Sequence, residues 1–111
     1  MAYPTLERRS HARSNREVYT AFALKDQKRE GLLFTRTLGV GGFSFVSENP
    51  MPRGVGLELS LYLPNLLTPL QAEGKVVHST PVQKGRGFHI GVSFQKLGEI
   101  GRSEIRQFIE G

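Results

Sequence analysis

Three arginines near the start of the chain, Arg8, Arg9 and Arg13, are the residues whose type and spacing most directly suggest chemistry. A guanidinium is a planar fork of donors that meets a phosphate through two parallel hydrogen bonds and offers a flat face to a purine. Arg9 and Arg13 lie four apart in Leu6-Glu7-Arg8-Arg9-Ser10-His11-Ala12-Arg13-Ser14-Asn15-Arg16, a pattern able to clamp a nucleotide. Four arginines less Glu7 leave residues 1–16 at +3, out of a formal +5 for the whole chain. Taken alone, the segment reads equally well as a solvated tail.

Other chemistries find little support. Gly39-Val40-Gly41-Gly42 lacks the lysine of a P-loop and the spacing of a dinucleotide fingerprint, and no long helix follows it. His11, His78 and His89 share no metal-like spacing and the chain has no cysteine, so no metal or disulfide is expected. Serine, histidine and carboxylates form no constellation for turnover, so the chain is not expected to be an enzyme. A pI near 10.0 favours anionic partners. No apolar run approaches the roughly 20 residues of a membrane helix and the start of the chain is polar, so a soluble, cytoplasmic protein is expected.

The elements that would position the arginines follow from periodicity. The 111 residues suit one domain with a single core. Val18, Thr20, Phe22 and Leu24 fall on one face of a strand over 17–24, and 31–37 returns as its partner across a charged hairpin turn at 25–29. Three glycines within 39–42 indicate positive φ or a close backbone approach. Further strands are expected over 43–47, over 57–63 with leucine at every second position, over 70–79 with a bulge at Gly74, and over 87–94. Ile105, Phe108 and Ile109, at i, i+3 and i+4, place an amphipathic helix within 99–110. The predicted architecture is all-β: an arm over 1–16, a six-stranded antiparallel β-barrel over 17–96, and a C-terminal α-helix.

With the arm and the glycine turn both in hand, the chain resembles the PilZ domain family, bacterial receptors for cyclic di-GMP. Glu7-Arg8-Arg9-Ser10-His11-Ala12-Arg13 fits the family's arginine-x-x-x-arginine loop, and 35–45 fits the strand of its second motif. Gly54 to Leu59, Gly74 to Val77 and Ile90 to Phe94 also look like family strands, in family order. The second motif runs Asp or Asn, any, Ser, any, any, Gly; here Thr37, Gly39 and Gly42 hold those positions, so only the last glycine matches. If the two replaced residues each forfeit a neutral hydrogen bond of about 0.5–1.5 kcal/mol, affinity falls about tenfold to a hundredfold.

The resemblance implies that Arg9 and Arg13 grip phosphates, that Thr37, Gly39 and Gly42 lie beside a guanine, and that Arg8 accompanies a self-stacked ligand dimer. It also puts His78 where relatives often carry a tryptophan, as a stacking partner; a partly exposed strand histidine is the competing reading. The implied function is a non-enzymatic adaptor in second-messenger signalling, with cyclic di-GMP as ligand rather than cofactor and an unidentified protein effector. Two alternatives stand: a degenerate adaptor that binds no cyclic di-GMP and acts through a pilus or flagellar protein, and a basic barrel for single-stranded nucleic acid. The aromatics fall mostly on the inward phase of the strands, which disfavours the last, and no DNA partner is expected.

Overall fold

The computed structural model describes residues 14–25 and 29–111. Seven strands, β1 (Tyr19–Leu24), β2 (Glu30–Phe34), β3 (Thr37–Gly39), β4 (Gly42–Ser47), β5 (Gly56–Tyr62), β6 (Leu70–Pro81) and β7 (Phe88–Lys96), precede one helix, α1 (Gly98–Glu110). They form a single sheet in the order β2-β1-β5-β6-β7-β4-β3, with every pairing antiparallel. Strong curl makes this sheet a half-barrel. The rings of Phe22 on β1 and Phe45 on β4 stand 6.4 Å apart although three strands separate β1 from β4 in the sheet.

Alternation along each strand builds the core. Leu57, Leu59, Leu61 and Leu63 are all buried, as are Val18, Phe43, Phe45, Ile90 and Val92. Each such side chain contributes about 1.5–3 kcal/mol through burial. From α1, Ile105 and Phe108 join the same cluster, with Ile109 packed at its margin, and the helix lies against β3 and β6. Gly74 sits at a register shift of β6 against β7, where an added Cβ would stand 2.6 Å from Val92 Cγ1.

The strand count corrects the sequence expectation of six. Residues 31–37 read as one strand, but the chain changes partners inside that run. Thr35 N–H donates to Val18 O at 3.1 Å and its hydroxyl accepts from Val18 N–H at 3.0 Å, whereas Arg36 N–H donates to Ser44 O at 2.7 Å. β2 therefore pairs with β1 at one edge of the sheet and β3 pairs with β4 at the other. Periodicity registers alternation, not which neighbour a residue bonds to, so it fused the two strands. The hairpin joining β1 and β2 closes with Leu24 N–H donating to Arg29 O at 2.7 Å; residues 26–28 lie outside the described residues.

Candidate ligand-binding face

Strand register assembles a floor of small residues on the outer face of β3, β4, β7 and β6. Thr37 pairs with Ser44, Ser44 with Gly91, and Gly91 with His78, so these four form one row across four strands. A second row runs Gly39, Gly42, Ser93 and Lys75, and a third Val46, His89 and Thr80. The residues between them, Leu38, Phe43, Phe45, Ile90 and Val92, are buried on the opposite face. None of the eleven residues in the three rows is a carboxylate. Beside the first row, Asn15, Arg36, Thr37, Ser44 and His89 line a cleft of about 540 Å3. This is a polar ledge with cationic and imidazole groups at its rim, the chemistry that suits an anion carrying flat rings.

Where the arm meets this ledge, backbone hydrogen bonds fix the chain. Ser14 bridges antiparallel to Leu38, donating to Leu38 O at 2.8 Å and accepting from Leu38 N–H at 2.9 Å. Leu38 lies between Thr37 and Gly39, so the described chain enters at the ledge, one residue after Arg13. The Ser14 hydroxyl then accepts from Arg16 N–H at 3.1 Å. That turn sends the Arg16 side chain to the last turn of α1, where its guanidinium donates to Phe108 O and lies 3.9 Å from the centroid of the Phe108 ring. The last turn of α1 holds no basic residue of its own. Arg16 supplies the positive charge that the carbonyl end of a helix favours.

The expected site residues divide into three groups. Arg8, Arg9 and Arg13 lie outside the described residues. Thr37, Gly39 and Gly42 come together at the β3–β4 end of the ledge, and the Thr37 hydroxyl is within 2.7 Å of the Ser44 hydroxyl. Gly42 has no room for a side chain: a Cβ there would stand 2.0 Å from the carbonyl oxygen of Val92. Its φ is not positive, so of the two sequence-based reasons for the glycines, close approach is the one that holds at Gly42. The single motif position that matches the family pattern is therefore the one whose absent side chain lets β4 lie flush on β7. His78 is exposed at the far end of the first row, its ring carbons 3.5–3.7 Å from where a Cβ of Gly91 would be.

His78 faces outward because of a bulge. Simple alternation from buried Ala72, Gly74 and Val76 would turn His78 into the core. The register instead slips between Val76 and His78, leaving Val77 as the extra residue and both Val77 and His78 outside.

Asn15, Arg36, Ser44 and His89 were not among the residues singled out from sequence. Their signal was present only as phase: Ser44 shares the outward phase of Gly42, and His89 alternates with inward Phe88 and Ile90. Nothing local joins strands so far apart along the chain. Among the described residues, no group of three or more histidines, cysteines or carboxylates is placed to hold a metal, and no helix is long and apolar enough to cross a membrane.

A curled antiparallel sheet with Ser14 bridged to β3 at its edge and a terminal helix against β3 and β6 defines a small barrel-like domain. The chain belongs to the PilZ domain family, whose model matches residues 7–111. No curated protein sequence matches it. Among solved structures it is similar to the Bacillus subtilis inhibitor of motility, with a TM-score of 0.79 and 15% identity over 93% of this chain and 50% of that one. The chain thus spans half the length of that protein. It is also similar to the PilZ domain of Escherichia coli YcgR solved with cyclic di-GMP, at TM-score 0.70 and 12% identity over 93% and 89% of the two chains. A third likeness is to the PilZ domain of CeSA from a cellulose-synthesizing bacterium, at TM-score 0.59 and 14% identity over 89% and 95%. These identities speak for a shared fold.

Proposed function

We propose that this chain is a cyclic di-GMP receptor in which the arginine arm closes over a ligand seated on the ledge. The observation that carries the reading is the Ser14–Leu38 bridge, which roots the arm between Thr37 and Gly39. Arg9 is five residues back from Ser14, a reach of up to roughly 17 Å at about 3.4 Å per residue. The four-strand row from Thr37 to His78 spans roughly 14 Å at about 4.8 Å per strand. An arm of that length covers a ligand with two phosphates and two purines. Arg9 and Arg13 take the phosphates, Arg8 grips the additional phosphate of a self-stacked dimer, and Thr37 with the backbone at Gly39 meets a guanine edge. His78 offers a ring for stacking, and Gly42 keeps the floor flat. Closing the arm over the ligand would create a new surface for a protein effector in the cytoplasm.

Calorimetric titration with cyclic di-GMP, with cyclic di-AMP and GTP as controls, tests this. Saturable heat with the first ligand only is expected. Arg9→Ala or Arg13→Ala should each weaken it by about 1.5–3 kcal/mol, the worth of a charge-assisted contact. No heat and no saturation at millimolar ligand would remove the proposal.

A second reading is a degenerate adaptor of pilus or flagellar motility that works through a protein partner without cyclic di-GMP. It is favoured by the hydroxyl pair, since Thr37 is engaged with Ser44 and Gly39 has no side chain to offer. If the double change Thr37→Asp with Gly39→Ser creates binding where the natural chain has none, this second reading stands.

A further inference from the structure

The outer face on the other half of the sheet carries a different surface. Tyr19 on β1 pairs with Phe34 on β2 and with Tyr62 on β5, and the ring centroids lie 5.4 and 5.5 Å apart. One row further along, Leu32, Ala21, Ser60 and Gln71 are aligned across β2, β1, β5 and β6. The next row is Glu30, Ala23, Glu58 and Glu73. Exposure is high for side chains so apolar: Leu32 62%, Phe34 55%, Tyr62 46% and Tyr19 38%. Ala21 and Ala23 floor a trough of about 620 Å3, and among the described residues the only charged ones lining it are Glu30 and Glu58. Neither forms an ion pair among the described residues; the one there is joins Lys25 to Glu73. On a chain of formal charge +5 this is a local reversal of sign beside a contiguous apolar patch.

Dimensions and charge together define what fits. From β2 to β5 is two strand spacings, roughly 10 Å, which is about the diameter of an α-helix with its side chains. From the aromatic row to the acidic row is four residues along a strand, roughly 13 Å, or about nine residues of helix at 1.5 Å each. We propose that the outer face of β2, β1 and β5 docks an amphipathic α-helix of a partner protein, with its apolar residues on Tyr19, Leu32, Phe34 and Tyr62 and a lysine or arginine eight or nine positions further on, between Glu30 and Glu58. The carboxylates fix the polarity of the helix and reject acidic partners, while the aromatics contribute most of the affinity. This inference does not depend on whether the ledge binds cyclic di-GMP.

The test uses the full chain, isotope-labelled for amide shift mapping, and two synthetic 18-residue helical peptides. Both have the same leucine- and alanine-rich first half; the second half carries lysine in one and glutamate in the other. The lysine peptide should shift amides of β1, β2 and β5 and bind at least tenfold more tightly than the glutamate peptide. The double variant Glu30→Lys with Glu58→Lys should reverse that preference. Leu32→Gln, at a position too exposed to serve the core, should weaken the lysine peptide at least fivefold and provides the readout if the charge-reversed protein does not fold. The proposal is overturned if neither peptide binds, if the shifts fall on other strands, or if Leu32→Gln leaves binding unaltered. It is equally overturned if charge reversal leaves the preference unchanged in a folded protein, or if light scattering finds a dimer that Leu32→Glu dissolves, because the face is then occupied by a second copy.

Discussion

The two outer faces of this sheet share one construction and differ in sign. Each has a floor of small residues: Gly39, Gly42, Ser44 and Gly91 on one, Ala21 and Ala23 on the other. Around the first stand Arg36, Lys75, His78 and His89; around the second stand Glu30, Glu58 and three exposed aromatic rings. The backbone geometry is common to both, so a curled sheet by itself selects no ligand. Residue choice at outward positions selects it, and those positions are freed from the core by the period of two. On the two proposals above, one face takes phosphate and purine and the other an apolar helix with a positive end.

The sharpest way to break the comparison is to remove the flatness of the first floor. Gly42→Ala drives a Cβ into the Val92 carbonyl, which is backbone and cannot rotate away. A loss at or above the upper end of about 1–3 kcal/mol is expected, read as the urea midpoint. The small residues on the second floor have no such constraint at Ala21, where Ala21→Ser should leave that midpoint nearly unaltered.

Next in size is the cationic rim. Arg36→Ala should lower affinity for cyclic di-GMP by about 1.5 kcal/mol, roughly tenfold, with no change in urea midpoint. Unaltered affinity would confine recognition to the arm. Arg16→Ala should cost about 1 kcal/mol of stability through loss of the helix-end and ring contacts; retention of this contribution by Arg16→Lys in thermal unfolding would show that charge alone suffices.

The smallest expected effect lies beside the acidic row. The Lys25 ammonium, 2.6 Å from Glu73 Oε1, holds the Glu73 carboxyl below its ordinary value, chiefly through that hydrogen bond. A depressed carboxylate supports the folded state above its unfolded pKa of about 4.3 and loses that support as the pH falls through its folded value. Lys25→Met should therefore raise the Glu73 midpoint in a carboxyl shift titration and leave stability at pH 7 almost unchanged, because the pair is exposed.

Much of the core was legible because burial repeats locally. Leu57 to Leu63 announce one buried face without reference to any other strand, and Ile105, Phe108 and Ile109 do the same for α1. The ledge was legible only in part. Thr37, Gly39 and Gly42 were found through their likeness to a motif, but Arg36, Ser44 and His89 converge through pairings across the sheet that no local pattern records. His78 is the instructive case: strict alternation would have buried it, and one extra residue at Val77 turns it out. The split of 31–37 into β2 and β3 escaped for a related reason: Arg36 and Thr37 both fall between buried Thr35 and buried Leu38, so the phase slips where the hydrogen-bonding neighbour changes, and no residue type marks the slip.

That split has a mechanical consequence. Phe34 closes the aromatic side and Arg36 opens the cationic one, so the shortest covalent route between the two surfaces is a pair of peptide units with buried Thr35 as their fulcrum. Two hydrogen bonds clamp that fulcrum to Val18. Any coupling of the two surfaces along this route would have to strain those two bonds, and the bond from Arg36 N–H to Ser44 O offers a second path into β4.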